Sequence, residues 1–532
     1  MIPEHVRAAL AEAGDDRIVY DLTGIENQLD TLRAELPGVH VRFAMKACPV
    51  DEVLACLADR GAGFDAAGPG EIRSALRTGV APTAVHYGNT VKSDADIAAA
   101  YRLGITTFAT DCVEDVRAIA AEAPGARVFC RVPTDGAGAL WGLTGKFGSE
   151  DPVAVLAEAR RLGLTPAGLS LHVGSQQLTV RAWAVAFDLL AALLPRLAEQ
   201  GIALDHVNLG GGLPAAGYLA PDGTPLHPPT AAVFAAIREG MRRLAGYGLD
   251  YVVEPGRYLV ADHGTVRARV TRLTVRKSPW LYLSCGRFNG LYEGDKVRYR
   301  LEFPGHEGGP LMPATVAGPS CDSDDTLGGG PVPVPAGLTS GDPVWIHAAG
   351  AYATSYTTMG FNGFDPLACH AVRAERFRPI AEADWDAVAE LEAAAYSSHG
   401  LSEGPAALRS RAANSTSFVL DTGERVGGYL IALPYPRFRF PDLSRPERSV
   451  FGSTNLHLHD VVVDEKLRGR GWGRRMLRRL KAIAEAQAYE RISLVAVDGL
   501  APYWASHGFA PHPGLTPPDG YGPGAVYMSR SL

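Results

Sequence analysis

The feature that most constrains the fold of this chain is a regular series of eight short apolar runs between Val41 and Tyr258. The runs are rich in β-branched and aromatic residues, and longer stretches with helical spacing separate them. In chain order they read "VHVRFAMKA", "GFDAA", "AVHYGN", "TTFATD", "RVFCRV", "GLSLHVGS", "HVNLGGG" and "YVVEPGR". Eight strands that alternate with helices predict a (β/α)8 barrel, which needs about 250 residues and buries its parallel strands on both faces. A doubly wound open sheet is the alternative, and the strand count favours the barrel.

The pattern changes twice after the last of these runs. Beyond Ala261 the helical stretches stop, and segments such as "GTVRARVTRLTVRK", "KVRYRLEF" and "PVWIHAAG" alternate apolar and polar residues between turns rich in proline and glycine. From Phe377 a new amphipathic helix, "FRPIAEADWDAVAELEAAAY", begins another strand–helix pattern. We therefore predict a barrel over 20–260, a β-domain formed by 1–19 and 261–375, and a further α+β domain over 376–532.

Composition excludes several classes of protein. The chain has 532 residues, too many for one ordinary core, and its formal net charge of -7 argues against a general nucleic-acid binder. Its seven cysteines are few, odd in number and widely spread, which fits neither a disulfide framework nor a zinc site, so we expect no bound metal. No apolar run is long enough to span a bilayer, and the N-terminus lacks the apolar core of a signal peptide. We expect a cytoplasmic protein with no membrane partner.

Polar residues and glycines follow the predicted barrel strands, at the rim where barrel enzymes build their active sites. Each alone has an ordinary explanation, since a lone lysine usually reaches solvent, a lone histidine is usually a core residue, and a glycine triplet is usually a turn. Together they supply an amine, a phosphate-sized nest of backbone N–H groups and a carboxylate, which are the groups that pyridoxal 5'-phosphate needs. These residues are Lys46, Asp65, Asn89, Arg131, His172, Ser175, Gly210, Gly211, Gly212, Glu254 and Arg257.

Seven motifs carry a resemblance to the ornithine/diaminopimelate decarboxylases of the alanine-racemase fold. They are "FAMKACP", "GFDAAGPGEI", "HVGSQ", "LGGGLP", "VEPGRY", "GPSCDSDD" and "GDPVWIHAAGAYATSYTTMGFNGF", and they occur in family order over nearly all of the first 370 residues. The resemblance implies that Lys46 forms the Schiff base with the cofactor, that His172 stacks on it, and that Cys321 donates a proton to Cα. It also implies that Asp65 and Arg131 support the site. The phosphate would be held by Ser175, Gly212, Gly256, Arg257 and Tyr352, with Gly210 and Gly211 in the same nest.

Glu254 separates two reaction types within this fold. The resemblance places it beside the pyridine nitrogen, where a carboxylate stabilises the protonated ring and makes it a strong electron sink. A racemase of the same fold pairs that nitrogen with arginine, so Glu254 favours decarboxylation.

Cys321 and Asp322 imply an assembly and a substrate. In the resembled family this pair reaches the active site of the neighbouring subunit, which implies a homodimer with shared active sites. The motif "GPSCDSDD" is similar to that of the diamine-forming enzymes, so Asp322 would receive a distal ammonium group. Ornithine decarboxylases carry a second acid where this chain has Cys285, and its loss weakens recognition of a terminal cation. Lysine, ornithine and an unusual amino acid remain open as substrates.

The segment from residue 377 onward resembles the GNAT N-acyltransferases. A strand, "LHLHDVVVDE", leads into the loop "RGRGWG" and then into the helix "GRRMLRRLKAIAEAQAY". Backbone N–H groups at such a helix start form an anion site, while the outer arginines of the helix, Arg474, Arg475 and Arg478, are expected to face solvent. The resemblance implies that the loop holds the pyrophosphate of an acyl-CoA and that Val461 and Val463 lie along the pantetheine. The loop residues are Arg468, Gly469, Arg470, Gly471, Trp472 and Gly473.

The acid and base of the acyl transfer stay open on sequence alone. Many relatives use a tyrosine where this chain has Trp504, so Tyr503, Tyr521 or solvent would protonate the leaving thiolate. His459 or Asp460 is the candidate base, and each is equally well explained as a residue that ends a strand.

Together the two resemblances predict a bifunctional enzyme. It would decarboxylate an ornithine-like or lysine-like amino acid to an amine and acetylate an amine from acetyl-CoA or another acyl-CoA, with the amine product as one candidate acceptor. A tailoring enzyme for a larger specialised metabolite, of the siderophore or microcin type, is an alternative. A non-catalytic regulatory homologue is another, although Lys46, Glu254, Arg257 and Cys321 argue against it. A third alternative makes the C-terminal domain a coenzyme A sensor.

Overall fold

The computed structural model describes residues 2–374, 376–397, 400–412, 415–422 and 425–532. Its contacts divide the chain into two compact units, Met1–Arg373 and Ala374–Leu532. Within the described residues, no helix combines the length and the apolar character needed to cross a lipid bilayer.

The first unit begins with a helix and a strand that precede a closed barrel. These are α1 (Glu4–Glu12) and β1 (Arg17–Asp21). The barrel strands are β2 (His40–Ala44), β3 (Gly63–Ala66), β4 (Val85–Tyr87), β5 (Thr107–Thr110), β6 (Arg127–Arg131), β8 (Thr165–Ser170), β10 (His206–Asn208) and β11 (Asp250–Val253). All eight pair in parallel, and β11 closes the ring onto β2. Each contains part of one predicted run, so the barrel prediction is confirmed and the open sheet is excluded.

Helices surround the barrel and bury an apolar face against it. They are α2 (Leu22–Glu35), α3 (Asp51–Asp59), α4 (Pro69–Arg77), α5 (Asp94–Arg102), α6 (Val113–Glu122), α7 (Pro152–Arg161), α8 (Arg181–Glu199), α9 (Thr230–Arg243) and α10 (Arg257–Val260). In α8, Trp183, Phe187 and Leu190 recur at helical spacing and are almost fully buried. The loops that follow β6 and β8 form a small two-stranded antiparallel sheet, in which β7 (Ala139–Trp141) pairs with β9 (Ser175–Gln177).

A separate β-sheet completes the first unit, as the alternating segments predicted. Its strands after the barrel are β12 (Gly264–Val275), β13 (Pro279–Leu283), β14 (Leu301–Glu302), β15 (Leu311–Ala317), β16 (Val332–Pro335), β17 (Pro343–Ile346) and β18 (Ala368–Val372). The N-terminal strand β1 joins this sheet between β12 and β18, antiparallel to the first and parallel to the second. The two ends of the unit are thus held side by side.

The second unit is built on one seven-stranded sheet. Its strands are β19 (Arg376–Pro379), β20 (Phe418–Asp421), β21 (Val426–Pro434), β22 (Asn455–Val463), β23 (Arg491–Ala496), β24 (Ala510–Pro511) and β25 (Val526–Ser531), in the order β19-β20-β21-β22-β23-β25-β24. Its helices are α11 (Trp385–Tyr396), α12 (Pro405–Arg411), α13 (Trp472–Ala486) and α14 (Ala501–Ser506). Separate apolar clusters lie on the two faces of the sheet, so the unit has its own core.

Candidate active sites

A small cavity opens at the carboxyl ends of the barrel strands in the first unit. Parallel strands direct their carboxyl ends to one rim, so residues that are far apart in sequence meet there. The lining residues are Ala44, Lys46, His172, Ser175, Gly211, Gly212, Leu213, Glu254, Gly256, Arg257 and Tyr352. Nine of these eleven residues were predicted for one site, and they share one cavity.

Lys46 lies two residues after β2, in a short 3-10 turn, and lines this cavity, where solvent reaches its side chain. Burial lowers the pKa of its amine. Tyr352, Asp65 and Glu254 pull in the opposite direction and outweigh burial, so the pKa of Lys46 is raised. The amine is thus a cation set among acidic groups.

Glu254 follows β11 and is oriented by Asn208, which ends the neighbouring strand β10. The Asn208 amide donates a hydrogen bond to the Glu254 carboxylate, while its carbonyl oxygen accepts one from the Gly210 backbone N–H at 2.9 Å. Asn208 is fully buried. The carboxylate and the start of the glycine nest are therefore fixed by one side chain that sequence reasoning missed.

Arg257, the first residue of α10, is held by a second residue that sequence reasoning missed. Its guanidinium makes two parallel bonds to the Glu293 carboxylate, at 2.6 and 2.8 Å, and both side chains are buried. Tyr218 accepts a further bond at 2.9 Å and Ser175 a longer one at 3.3 Å. Burial opposes the charge of Arg257, but Tyr218 and Glu293 raise its pKa, so the guanidinium stays charged.

Two aromatic rings enclose the same guanidinium. Its carbon lies 4.5 Å from the centre of the Trp141 ring and 4.9 Å from that of Tyr352. Tyr352 has a left-handed backbone with φ of 61°, and its N–H donates to the carbonyl of Ala47 at 2.7 Å. This strained turn brings Tyr352 from the β-domain to the residue that follows Lys46.

The glycine nest leaves room that a side chain would fill. Gly210 and Gly212 have φ of 65° and 103°, and a Cβ at either would lie 2.1 or 2.6 Å from a backbone carbonyl oxygen. A Cβ on Gly211 would meet the His172 ring at 3.1 Å. Backbone N–H groups here, with Ser175 and Arg257, match the donors that a phosphate requires, so the residues present fit pyridoxal 5'-phosphate.

His172, which follows β8, is a neutral ring in the cavity wall. Burial, with the nearby charges of Lys46 and Arg131, lowers its pKa to about 3. The Gly174 N–H donates to Nδ1 at 3.0 Å, so any ring proton sits on Nε2. An uncharged flat ring is suited to stacking on a pyridine.

Asp65 and Arg131 are not among the residues that line the cavity. Within the described part of the chain, Oδ1 of Asp65 is buried without a hydrogen-bond partner. Burial and the nearby Glu254 raise the pKa of this carboxyl. Burial lowers the pKa of Arg131, and Glu254 opposes that shift. Both therefore act on the site through charge.

The structure does not bring Cys321, Asp322 or Cys285 into the cavity of their own chain. Cys321 is exposed, with Sγ 3.3 Å from Oδ1 of Asn362. Cys285 is 1% exposed and part of the core, and burial raises the pKa of its thiol. The loop that carries Cys321 is fixed by buried Asp325, whose carboxylate accepts the Arg287 and Ser320 N–H groups at 2.7 and 3.0 Å.

In the second unit, a cleft opens where two strands separate. Strands β22 and β23 pair only from Asn455↔Arg491 to His457↔Ser493 and then diverge. On its other side β22 carries a bulge, because Ile431 pairs with Asp460 and Ala432 with Leu458, which leaves His459 unpaired in the ladder. The bulge lets four consecutive residues, Leu458 to Val461, line the cleft.

The cleft is lined by polar residues that bond to one another. Asp460 accepts the hydroxyl of Tyr396 at 2.6 Å and that of Tyr429. Burial raises the pKa of Asp460 to about 6. His459 Nε2 lies 2.7 Å from Oε1 of Glu403, and burial lowers the pKa of His459 to about 3. Burial raises the pKa of Glu403 to about 7 although Arg411 pairs with it.

The predicted pyrophosphate loop ends β22 and begins α13. Gly469 and Gly471 have φ of 75° and 80°, and together with Arg468 and Arg470 they are exposed. Trp472 differs: its side chain is buried against Phe377, so its backbone N–H is the only donor it offers toward an anion. Val461 lines the cleft, and Val463 is not among its lining residues.

One expectation for α13 is wrong. Arg475 does not face solvent: it is 9% exposed, and its guanidinium carbon lies 4.3 Å from the centre of the Trp472 ring. Stacking on the indole ring allows the Arg475 side chain to be buried.

The candidate acids differ in position. Trp504 and Tyr521 line the cleft, and the Tyr521 hydroxyl already donates to the Pro441 carbonyl at 2.8 Å. Tyr503 is 41% exposed, and its hydroxyl lies 3.1 Å from the place a Cβ on Gly473 would occupy, beside the pyrophosphate loop.

Comparison with known proteins finds a matching family model in each unit. The family model for the pyridoxal-binding domain of pyridoxal-dependent decarboxylases matches residues 22–261. The family model for GNAT acetyltransferases matches residues 385–509.

Individual relatives agree with the first match. The lysine/ornithine decarboxylase of Selenomonas ruminantium is 33% identical over 356 residues, which cover 65% of this chain and 87% of the relative. The ornithine decarboxylase of Schizosaccharomyces pombe is 28% identical over 66% of this chain and 82% of its own length.

Solved structures agree as well. Lysine decarboxylase from Selenomonas ruminantium superposes with a TM-score of 0.63 at 30% identity, over 70% of this chain and 96% of that one. The lysine/ornithine decarboxylase of Vibrio vulnificus, complexed with cadaverine, gives 0.62 at 28% identity, over 69% and 97%.

Proposed function

The chain belongs to the family of pyridoxal-dependent ornithine, lysine and diaminopimelate decarboxylases and continues into a GNAT acetyltransferase domain, and we propose that it converts a basic amino acid into an amine and acetylates an amine. The observation that supports the decarboxylase proposal is the position of Lys46 and Glu254 on the wall of one cavity, with a glycine nest and Arg257 beside them. The acetyltransferase proposal rests on the cleft between β22 and β23 and on the glycine-containing loop at 468–473, which follows β22 in the chain.

In the first unit, different residues would bind different parts of the cofactor. Lys46 would supply the amine for its aldehyde, Glu254 would pair with the ring nitrogen, and His172 would stack on the ring. Ser175, Gly212, Gly256, Arg257 and Tyr352 would hold the phosphate. When bound, pyridoxal 5'-phosphate supplies a sink for the electron pair that remains when carbon dioxide departs. Asn208 keeps Glu254 aimed, and Glu293 keeps Arg257 in place.

A second copy of the chain completes this site. Cys321 and Asp322 lie outside the cavity of their own chain, and Asp325 and Asn362 hold their loop in a defined shape at the surface. We propose that Cys321 serves the partner's cavity as the proton donor to Cα and that Asp322 receives the distal ammonium group. Cys285 replaces a second acid with a buried thiol, so recognition of that ammonium rests on Asp322.

In the second unit, the separated strands receive an acyl-CoA. The inner edges of β22 and β23 diverge beyond His457, so an extended pantetheine arm has backbone groups to pair with, and Val461 lies beside it. The N–H groups from Arg468 to Gly473 point toward a pyrophosphate at the start of α13.

The test is product analysis with the full-length protein loaded with pyridoxal 5'-phosphate. Lysine, ornithine, arginine and diaminopimelate are supplied with and without acetyl-CoA, and products are identified by mass spectrometry. We expect an amine from lysine or ornithine, and an acetylated amine only when acetyl-CoA is present. If the loaded protein releases carbon dioxide from none of them, the decarboxylase assignment to basic amino acids is wrong.

A further inference from the structure

Three carboxylates line the cleft of the second unit and form what we call the acidic wall: Glu392, Glu403 and Asp460. Among the lining residues in the described part of the chain there is no lysine or arginine. Arg411 pairs with Glu403, and its side chain is buried at 0% exposure, so it offsets one charge without presenting itself to a ligand. The side chains along the cleft that can carry a full charge at neutral pH are therefore acidic.

Each carboxylate of the wall is held in a fixed position. Glu392 accepts the Ser402 hydroxyl and the Glu403 N–H, both at 2.6 Å, which ties the loop before α12 to α11. Asp460 is held by two tyrosine hydroxyls. Glu403 is shared between His459 and Arg411. A wall that is fixed before a ligand arrives loses little entropy when the ligand binds.

His459 provides an independent sign of a ligand. Its side chain is 3% exposed and lines the cleft, and its Nδ1 is buried without a hydrogen-bond partner among the described residues. With Nε2 engaged by Glu403, the neutral ring presents Nδ1 as an acceptor. A buried acceptor without a partner is costly, so the site has a place for a ligand that donates hydrogen bonds.

We infer that the acidic wall is the acceptor site and that it takes a cationic amine while it refuses the amino acid from which that amine derives. This inference rests on the proposed acetyltransferase function. An amino acid carries a carboxylate that the wall repels, and decarboxylation removes that group. Acetyl transfer therefore follows decarboxylation in the reaction sequence.

The transfer balances on the groups present. The ammonium of the acceptor gives one proton to Glu403, and the freed lone pair attacks the thioester carbonyl carbon, forming the C–N bond. The C–S bond then breaks, sulfur leaves with the bonding pair, and the second proton from nitrogen passes to the thiolate. The products are the amide, coenzyme A as its thiol, and the proton on Glu403, which returns to solvent.

The test uses the full-length Lys46→Ala variant, so that the first unit cannot convert an amino acid into an amine during the assay. Acetyl-CoA is supplied with cadaverine, L-lysine or L-lysinamide, and acetylated products are measured by mass spectrometry. Lysinamide keeps the shape of lysine without its carboxylate. We expect kcat/KM for cadaverine to exceed that for either nitrogen of lysine by about 100-fold or more, with lysinamide within about tenfold of cadaverine.

A second variant tests whether the wall causes the preference. In the same background, Glu403→Gln is expected to reduce the cadaverine-to-lysine ratio at least about tenfold, and Asp460→Asn to reduce it in the same direction. Coenzyme A affinity must stay at its original value, which shows that the unit is folded. Glu382→Gln, an exposed glutamate of the same unit, is the matched control and leaves the ratio unchanged.

The outcomes separate the two levels of the proposal. The inference is wrong if lysine is acetylated as well as cadaverine, or if neither variant changes the cadaverine-to-lysine ratio while coenzyme A still binds. Either result leaves the proposed acetyltransferase function intact. A protein that binds coenzyme A but acetylates none of the three compounds overturns both.

Discussion

The cavity of the barrel and the cleft of the second unit differ in how the chain builds them. In the barrel, Lys46, His172 and Glu254 each follow a different strand, so the fold itself collects them at one rim. In the cleft, His459 and Asp460 come from one bulged strand, while Glu392 and Glu403 come from α11 and the loop after it. The first site follows from the architecture, and the second depends on a local irregularity and a distant loop.

The two sites also differ in charge. Around the cavity, Lys46 and Arg257 stand against Glu254 and Glu293, which suits a cofactor that carries both a cationic ring and a phosphate. Along the cleft, negative groups dominate. The cavity therefore has charged groups of both signs, which suits a bound cofactor, whereas the cleft is lined by acidic groups, which suits a cationic substrate. Four experiments test this difference.

The largest expected effect is that of Lys46→Ala. Decarboxylation falls below detection because the amine for the cofactor is gone, while acetyl transfer keeps its rate since the cleft lies in the other unit. Release of labelled carbon dioxide and formation of acetylated amine measure the two activities. Lys277→Ala, at an exposed turn, is the control and changes neither. Loss of both activities in Lys46→Ala would show that the sites are not independent.

Glu293→Gln comes next. It leaves the buried Arg257 without its charged partner, and breaking such a pair costs about 3–5 kcal/mol of unfolding free energy. We also expect weaker binding of pyridoxal 5'-phosphate, read from the absorbance of the bound cofactor. Urea unfolding monitored on the first unit measures the stability. Glu35→Gln breaks an exposed pair with Arg238 and serves as control, with an expected loss under about 1 kcal/mol. Equal losses in the two variants would contradict the role of burial.

The third effect is a pH dependence of acetyl transfer. Burial raises the pKa of Glu403 to about 7, with Arg411 lowering it and Asp442 raising it. The carboxylate is the form that accepts a proton, so kcat/KM for cadaverine rises as pH increases through 7 and falls about tenfold per pH unit below it.

The pH profile of the Glu403→Gln variant is its control. That variant should lose the inflection near pH 7 and keep only the rise that comes from deprotonation of the amine itself at higher pH. A wild-type profile that is flat between pH 6 and 8 would speak against Glu403 as the proton acceptor.

The smallest effect is that of Gly471→Ala. Its φ of 80° disfavours a side chain although no heavy atom lies within 4 Å of the added Cβ, so the cost is backbone strain of about 1 kcal/mol. We expect about a fivefold higher KM for acetyl-CoA and an unchanged kcat. Gly514→Ala, with the same open space and an ordinary φ, is the control. Equal kinetics in both variants would exclude a role for the loop conformation.

The sequence predicted those features of the fold and the site that depend on short-range patterns of residues. The eight strands were predictable because each run is short, apolar and bounded by turn residues, and the cavity residues follow those runs directly. Asn208, Glu293 and Asp325 were missed since each acts through a partner that is distant in sequence, and a single Asn, Glu or Asp carries no periodic signal. Arg475 was placed on the wrong side because helical spacing gives no sign of stacking on an indole.

Cys285 shows a further limit. Its position relative to the resembled enzymes directs attention to the substrate, yet the side chain is a core residue whose 1% exposure only packing reveals. The acidic wall was equally hidden, since its members are separated by up to 68 positions, from Glu392 to Asp460, and meet only after the bulge forms.

The pairing of β1 with β18 has a consequence for how the protein is made. Arg17 lies opposite Ala368, so about 350 residues must leave the ribosome before the first strand finds that neighbour, which takes roughly 20–70 s at ordinary translation speeds. During that interval the nascent β1, with Ile18, Val19 and Tyr20 destined for full burial, has an unsatisfied edge. The sheet of the first unit can therefore close only after synthesis has reached Val372.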